Sequence, residues 1–159
     1  MTTTTTRRRI ALTAIAGTAV IATMAGFAGI ASAGTLPTDA PTTAMTITNQ
    51  TNQTLWLANS DNPYGSWIAA PQQSLAPGQT EIVTAVSNNS TPVFPITVSY
   101  GFGTIGDVAN FVSTNDYMGA TTDGSGITGY NNQNLDVQTS VDSGAPAVNA
   151  SYILAPMMM

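Results

Sequence analysis

The sequence predicts an all-β protein, an antiparallel β-sandwich of about seven to eight short strands preceded by a helical signal peptide. Apolar and polar residues alternate with a period of two after residue 43, and no stretch keeps a helical period. Clusters of Asn, Gly, Pro and Ser separate the alternating segments, as turns between strands require. Short strands punctuated in this way along residues 44–155 are typical of a sandwich.

Seven strands follow from the alternation. The predicted strands are Met45–Thr48, Thr54–Ala58, Glu81–Val86, Ile96–Phe102, Val108–Val112, Leu135–Asp142 and Val148–Leu154. The first two are separated only by a turn-rich segment at 49–52, so we expect them to form a hairpin. Residues 59–77 form a long connection that runs into Ala76-Pro77-Gly78-Gln79, a type II turn signal. Residues 116–134 form a second long loop with room for a short edge strand.

The alternation also assigns faces and boundaries. The inward positions of the last two strands are Leu135, Val137, Thr139 and Val141, then Val148, Ala150, Tyr152 and Leu154. A flexible linker at 34–43 precedes the domain at 44–155, and residues 156–159 form a tail. No Lys guards the strand edges, so Pro, Gly loops and Asp must guard them, and an edge left unguarded could serve self-assembly.

Residues 1–33 are predicted to be a cleavable signal peptide, which implies a secreted, extracellular protein. Arg7–Arg9 are followed by an uncharged run, and Ala31 and Ala33 form a small-residue cleavage site. The arginines also resemble a twin-arginine export signal, the alternative to the general secretory route. An uncleaved anchor is the other interpretation, because the uncharged run has the length of about 20 residues that spans a bilayer.

Cleavage would leave an acidic domain without cations. The three basic residues are Arg7, Arg8 and Arg9, and the chain has eight acids and no His, so the side chains of residues 34–159 carry a charge of −8. Nucleic-acid binding is excluded, since it needs Lys or Arg against phosphate. Anionic membrane surfaces should repel the domain.

The same composition predicts a protein without catalytic residues, metal or cofactor. His, Cys and Lys are absent from residues 34–159, which excludes catalytic triads and Schiff-base chemistry and disfavours zinc or copper sites. Two alternatives stay open. A pair of carboxylates could hydrolyse glycosides, and oxygen ligands at Asn115, Asp116 and Asp123 could bind calcium.

Four aromatic residues are the candidate binding residues. Trp56 alternates with Leu55 and Leu57, so it points away from the core if those leucines face inward. Tyr64 and Trp67 lie in the Pro- and Gly-containing connection, and Tyr117 lies in the second long loop. Loop aromatics of this kind contact lipids, glycans or proteins, and the alternative for Trp67 is to cap one end of the core.

Three segments carry a resemblance to a known family. The runs Ile47–Leu55, Asn62–Trp67 and Leu75–Gln79 resemble those of small secreted actinobacterial crystal-protein-like proteins, which are similar to the aegerolysin type of β-sandwich. The resemblance covers about residues 44–155. It implies a sandwich that recognises lipids or membranes and, in some members, a toxin-like role in which a second protein component takes part in pore formation.

The residues and the resemblance together predict a secreted, non-catalytic sandwich. Its expected partner is a neutral lipid, glycan or protein surface. The alternative is a structural or adhesive cell-surface component that self-assembles through its β-edges.

Overall fold

The computed structural model describes residues 34, 36–38, 40–88, 93–103, 106–116, 119–131 and 133–158. These residues contain eleven strands: β1 Thr42–Asn49, β2 Leu55–Asp61, β3 Gly65–Ala69, β4 Ser74–Leu75, β5 Thr80–Ser87, β6 Val93–Phe102, β7 Asp107–Asp116, β8 Gly119–Thr121, β9 Gly126–Thr128, β10 Leu135–Ser143 and β11 Ala147–Pro156. Over the described ranges no helix is long and apolar enough to cross a membrane.

The strands form the two sheets of a β-sandwich, which confirms the predicted fold class. Sheet A has the order β10-β11-β1-β5-β3. Sheet B has the order β4-β2-β6-β7-β8, and β9 also pairs with β7. All the pairs are antiparallel except β1 with β11, which run parallel from Thr42↔Ala147 to Asn49↔Leu154.

The predicted hairpin between the first two strands is wrong. β1 lies in the middle of sheet A, between β11 and β5, whereas β2 lies in sheet B. The segment between them therefore crosses from one sheet to the other. The outward-facing residues Thr42 and Ala44 of β1 are buried, and so are the inward-facing residues of the same strand. Burial on both faces is consistent with a central position in the sheet. A turn motif in the sequence shows that the chain reverses direction, but it does not determine which strands pair with one another.

The predicted long connection at 59–77 contains two strands, β3 and β4. Sequence alternation misses β3 because a bulge between Trp67 and Ala69 shifts its register against β5. β4 is only two residues long. The type II turn after it is confirmed, because Gln79 N–H donates to the Ala76 carbonyl at 3.0 Å and Gly78 has a φ of 74°.

Three aromatic rings join the sheets in the core. Phe111 makes edge contacts with Tyr100 at 6.4 Å and with Tyr152 at 5.7 Å between ring centroids, an arrangement that the ring quadrupoles favour. The Tyr152 hydroxyl donates to the Val112 carbonyl at 2.7 Å. The inward positions predicted for the last strand are confirmed, since Val148 and the three residues that alternate with it are all buried.

The inward face predicted for β10 is correct only at its start. Leu135 is buried and Val137 packs against the core, but Thr139 and Val141 are exposed. β10 is an edge strand of sheet A, and its second half extends beyond the apolar cover that sheet B provides. The Thr139 hydroxyl accepts a hydrogen bond from the Thr122 hydroxyl at 3.1 Å.

The strand directions define two ends of the sandwich. β1 and β11 finish at one end, where β2 and β10 begin; we call this the upper end. The segments 50–54, 129–131, 133–134 and 156–158 lie there. The segments 62–64 and 144–146 lie at the opposite end, because β2 and β10 finish there.

Candidate functional site

Trp56 is the most exposed of the three predicted binding residues that the structure describes. Its neighbours in β2 face the core, with Leu55 fully buried and Leu57 packed against the core cluster. The indole consequently points outward from sheet B and is 63% exposed, in the direction that the alternation predicted. Trp56 pairs with Ser74 of β4 and Gly101 of β6, close to the upper end.

An open ledge adjoins the indole on the outer face of sheet B. The pairings continue from Gly101 to Val108 and from Val108 to Thr128, which places these three residues in one row beside Trp56. A Cβ added at Gly101 would meet only the Trp56 and Asp107 carbonyls, at 3.8 and 3.9 Å. No described side chain thus covers Gly101. We call Trp56, Gly101, Val108 and Thr128 the Trp56 ledge.

A row of polar side chains borders the ledge. Ser99 donates its hydroxyl to the Asn110 amide oxygen at 2.8 Å, and the Asn110 amide nitrogen donates to the Thr128 hydroxyl at 3.3 Å. These bonds fix the side chains across β6, β7 and β9. The outer face of sheet B is therefore neutral and hydrogen-bonding at this point, with the indole as its largest apolar group.

A depression of about 480 Å³ lies at the upper end beside the sheet A strands. Its lining consists of neutral side chains from the loops and strand ends: Gln50, Thr51, Asn52, Gln133, Leu135 and Pro156. The volume is within the range of small-molecule sites, about 300–1,000 Å³. We refer to it as the upper depression.

Asn49 holds one wall of the upper depression. Its side chain is fully buried, and its amide nitrogen donates to the carbonyls of Gln53 and Leu75, both at 2.9 Å. Its amide oxygen accepts the Thr51 N–H at 3.0 Å and the Thr51 hydroxyl at 2.7 Å. One side chain therefore supplies four hydrogen bonds, and the three to Thr51 and Gln53 order residues 50–53 where the chain leaves sheet A.

Asn131 holds the other wall. It has a φ of 47°, a left-handed conformation that Asn tolerates. Its side chain donates to the Leu135 carbonyl at 2.9 Å and accepts the Leu135 N–H at 3.0 Å. Its own N–H donates to the buried carboxylate of Asp107 at 3.0 Å. Gly129 is required beside it, since a Cβ there would lie 2.3 Å from that carboxylate.

A glutamine pair connects the two walls. Gln53 donates its side-chain amide to the side-chain oxygen of Gln133. The Gln53 side-chain oxygen also accepts the N–H of Gly103 at 3.1 Å. The loops of the upper end are in this way joined to one another and to the end of β6, the strand that pairs with β2 at Trp56.

A buried acid lies between the sheets below this surface. Glu81 is 2% exposed, accepts the Gln72 N–H at 2.9 Å and lies 2.6 Å from the Tyr100 hydroxyl. Burial is the main cause that raises the pKa of Glu81, while the hydrogen bonds from Gln72 and Tyr100 oppose the rise. Burial and the carboxyl group beside it raise the pKa of Tyr100 as well.

The structure separates the other predicted binding residues from Trp56. Tyr64 is 46% exposed but lies at the opposite end, and the six residues from Trp56 to Asp61 alone span roughly 17 Å of strand. Trp67 packs against the core, which favours its capping interpretation. Tyr117 lies outside the described residues, as do Ala31 and Ala33 of the predicted cleavage site.

Two segments of the upper end carry exposed apolar residues that the sequence analysis did not select. Tyr130 is 78% exposed, and Met157 and Met158 are 48% and 93% exposed. Tyr130 follows Gly129 in a loop rich in Gly and Asn, the same signal that selected Tyr64, so it could have been chosen. The methionines were assigned to a tail without a role, but the Met157 N–H donates to the Asn134 carbonyl at 2.7 Å and holds the tail against the loop.

The described residues do not support the calcium alternative. They contain no group of three His, Cys, Asp or Glu side chains that could hold a metal ion. Asn115, which was expected beside a calcium loop, is buried in β7 and donates its amide to the Thr42 carbonyl at 3.0 Å and the Pro146 carbonyl at 2.8 Å. Its role in the structure is to tie β7 of sheet B to the start of β1 and to the turn before β11.

The fold and this surface define a class: a two-sheet β-sandwich with an exposed tryptophan and a neutral depression at one end. The solved structure of the lipid-binding protein Nakanori is similar to this chain, with a TM-score of 0.58 and 10% sequence identity, over 73% of this chain and 71% of that chain. At this identity the likeness shows a shared fold. No family model matches the chain, and no curated protein matches it.

Proposed function

We propose that this chain is an exported, non-catalytic binding protein that docks its upper end on a neutral lipid surface. The observation that carries the proposal is the 63% exposed indole of Trp56 beside the open ledge. Indole and phenol rings prefer the boundary between water and lipid, where one part of the ring is apolar and another is hydrated. Tyr130 and Met158 add apolar surface at the same end. The fold shared with a lipid-binding protein supports the proposal.

The distribution of charge supports the same orientation. Asp61, Asp116 and Asp142 lie near the opposite end, where β2, β7 and β10 finish. Among the described residues of the upper end, Asp136 is the one exposed acid, since Asp107 is buried. Residues 34–159 have no cation to neutralise these charges. The upper end can therefore approach a neutral surface at a lower electrostatic cost than the opposite end.

We expect Trp56→Ala to weaken binding to phosphatidylcholine vesicles about tenfold, because removing a buried indole from an interface commonly costs more than about 1.4 kcal/mol. The measurement is co-sedimentation of the full chain with vesicles over a range of lipid concentrations. Tyr64→Ala is the matched control, since it removes an exposed aromatic ring from the opposite end. Equal losses in the two variants, or none in Trp56→Ala, would contradict the proposed orientation.

A second candidate function is self-assembly through β10. Its last six residues are exposed on both faces, and it forms one of the two edges of sheet A, with neither Lys nor Pro to block pairing. If this edge pairs with a second copy, light scattering will show oligomers that increase with concentration. Val141→Lys should then return the protein to monomers, while a wild type that stays monomeric would eliminate this function.

A further inference from the structure

We infer that the upper depression binds a neutral sugar and discriminates against phosphate-bearing groups. The inference rests on the proposed function, because it names the headgroup class that this end would select on a lipid surface. The sugar could belong to a glycolipid or to a free glycan. Both offer the same ring of hydroxyl groups, and the experiment below separates them.

Phosphate lacks its usual partners in the depression. Proteins hold phosphate with Lys or Arg side chains or with several free backbone N–H groups. Residues 34–159 contain no basic side chain. Five backbone donors around the depression are already engaged within the protein: those of Gln50, Thr51, Gln53, Leu135 and Met157 each donate to an oxygen of the protein at 2.7–3.3 Å.

The side chains that line the depression suit hydroxyl groups instead. Gln50 and Asn52 are exposed there. A carboxamide presents both a donor and an acceptor, as does each hydroxyl of a sugar, so the two can form paired hydrogen bonds without any charge. Leu135 and Pro156 complete the lining with apolar surface, against which the C–H face of a sugar ring can pack.

The depression is organised before any ligand arrives. The four hydrogen bonds of Asn49 order one wall, and those of Asn131 order the other. The Gln53–Gln133 contact connects them. Neutral hydrogen bonds are individually weak in water, so a sugar site gains affinity chiefly when the protein does not have to order its own loops on binding.

The test compares three vesicle compositions with the full chain: phosphatidylcholine alone, phosphatidylcholine with glucosylceramide, and phosphatidylcholine with lactosylceramide. We expect at least one glycolipid to improve binding about tenfold over phosphatidylcholine alone. Excess free lactose or glucose should remove that gain, and the free sugar should bind directly by calorimetry if a soluble glycan is the ligand. Equal binding to all three compositions would overturn the inference but leave the proposed function standing. Binding to none of them would overturn the proposed function itself.

A variant pair locates the site. Replacing Gln50 and Asn52 together by alanine should abolish the gain from the glycolipid, because it removes both exposed carboxamides without touching the hydrogen bonds of Asn49. Gln138→Ala, which removes an exposed carboxamide from the outer face of β10, should retain the full gain. Thermal melting of both variants checks the fold. A gain from the glycolipid that survives in the double variant would place the sugar elsewhere and overturn the inference.

Discussion

Replacing Asn49 by alanine is expected to lower the free energy of unfolding by about 3 kcal/mol, since the substitution leaves buried backbone groups without partners. The Asn49 amide serves the carbonyls of Gln53 and Leu75 and the N–H of Thr51. Alanine supplies none of these bonds. The methyl group also leaves a space that the adjoining loop cannot fill without moving.

Urea denaturation of the purified chain measures this effect. Asn52→Ala in the same loop is the matched control: its side chain is exposed, and we expect a change within about 0.5 kcal/mol. Hydrogen exchange gives an independent readout, because the Thr51 amide should lose its protection in Asn49→Ala. A stability change as small as that of the control would show that the four hydrogen bonds do not determine the structure of this loop.

Replacing Glu81 by glutamine is expected to stabilise the protein at neutral and alkaline pH. The geometry of the buried cluster explains why. The Tyr100 hydroxyl lies 2.8 Å from the Gln72 carbonyl and 2.6 Å from the Glu81 carboxyl oxygen, and its one proton cannot serve both. If Glu81 is protonated, it donates to Tyr100, Tyr100 donates to the Gln72 carbonyl, and the Gln72 N–H donates to the second carboxyl oxygen at 2.9 Å. Glutamine supplies the same donor and acceptor at every pH.

The sign of the pH dependence follows from the raised pKa of Glu81. A carboxyl whose pKa is higher in the folded than in the unfolded chain binds its proton more tightly when folded. Its contribution to stability is complete below the unfolded pKa of about 4.3 and decreases as the pH rises towards the folded pKa. In that window the loss reaches about 1.4 kcal/mol per pH unit. The other groups in contact with Glu81, Tyr100 and the Gln72 backbone, carry no charge at these pH values.

Urea denaturation of wild type and Glu81→Gln at a series of pH values tests this prediction. We expect the two proteins to have equal free energies of unfolding near pH 4 and the variant to be more stable by about 1–3 kcal/mol at pH 8. Asp136→Asn, which removes an exposed acid from β10, controls for the general benefit of a lower negative charge. A constant difference across the pH series, or a gain equal to that of the control, would show that Glu81 is not protonated in the folded protein.

The sequence predicts which way a side chain points from its sheet better than it predicts which strands pair with one another. Alternation correctly predicted that Tyr152 faces inward and Trp56 outward, because a period of two is a local property of a strand. It could not pair β1 with β11, since the choice of partner depends on burial over the whole chain. The upper depression could not be predicted for the same reason. In the sequence Asn49 has the pattern of a turn residue, and only in the folded chain does the Leu75 carbonyl lie 2.9 Å from its side-chain amide.

The parallel pairing of β1 with β11 has a consequence for how the chain folds. The first strand cannot obtain one of its two neighbours in sheet A until the last strand is present. Contacts between such distant parts of a chain form slowly, because a long loop must be closed before they contribute any stability. A truncated chain that ends at Gly144 would lose β11 and with it the link between β10 and β1. We therefore expect the sandwich to stay incompletely folded during synthesis until β11 has left the ribosome.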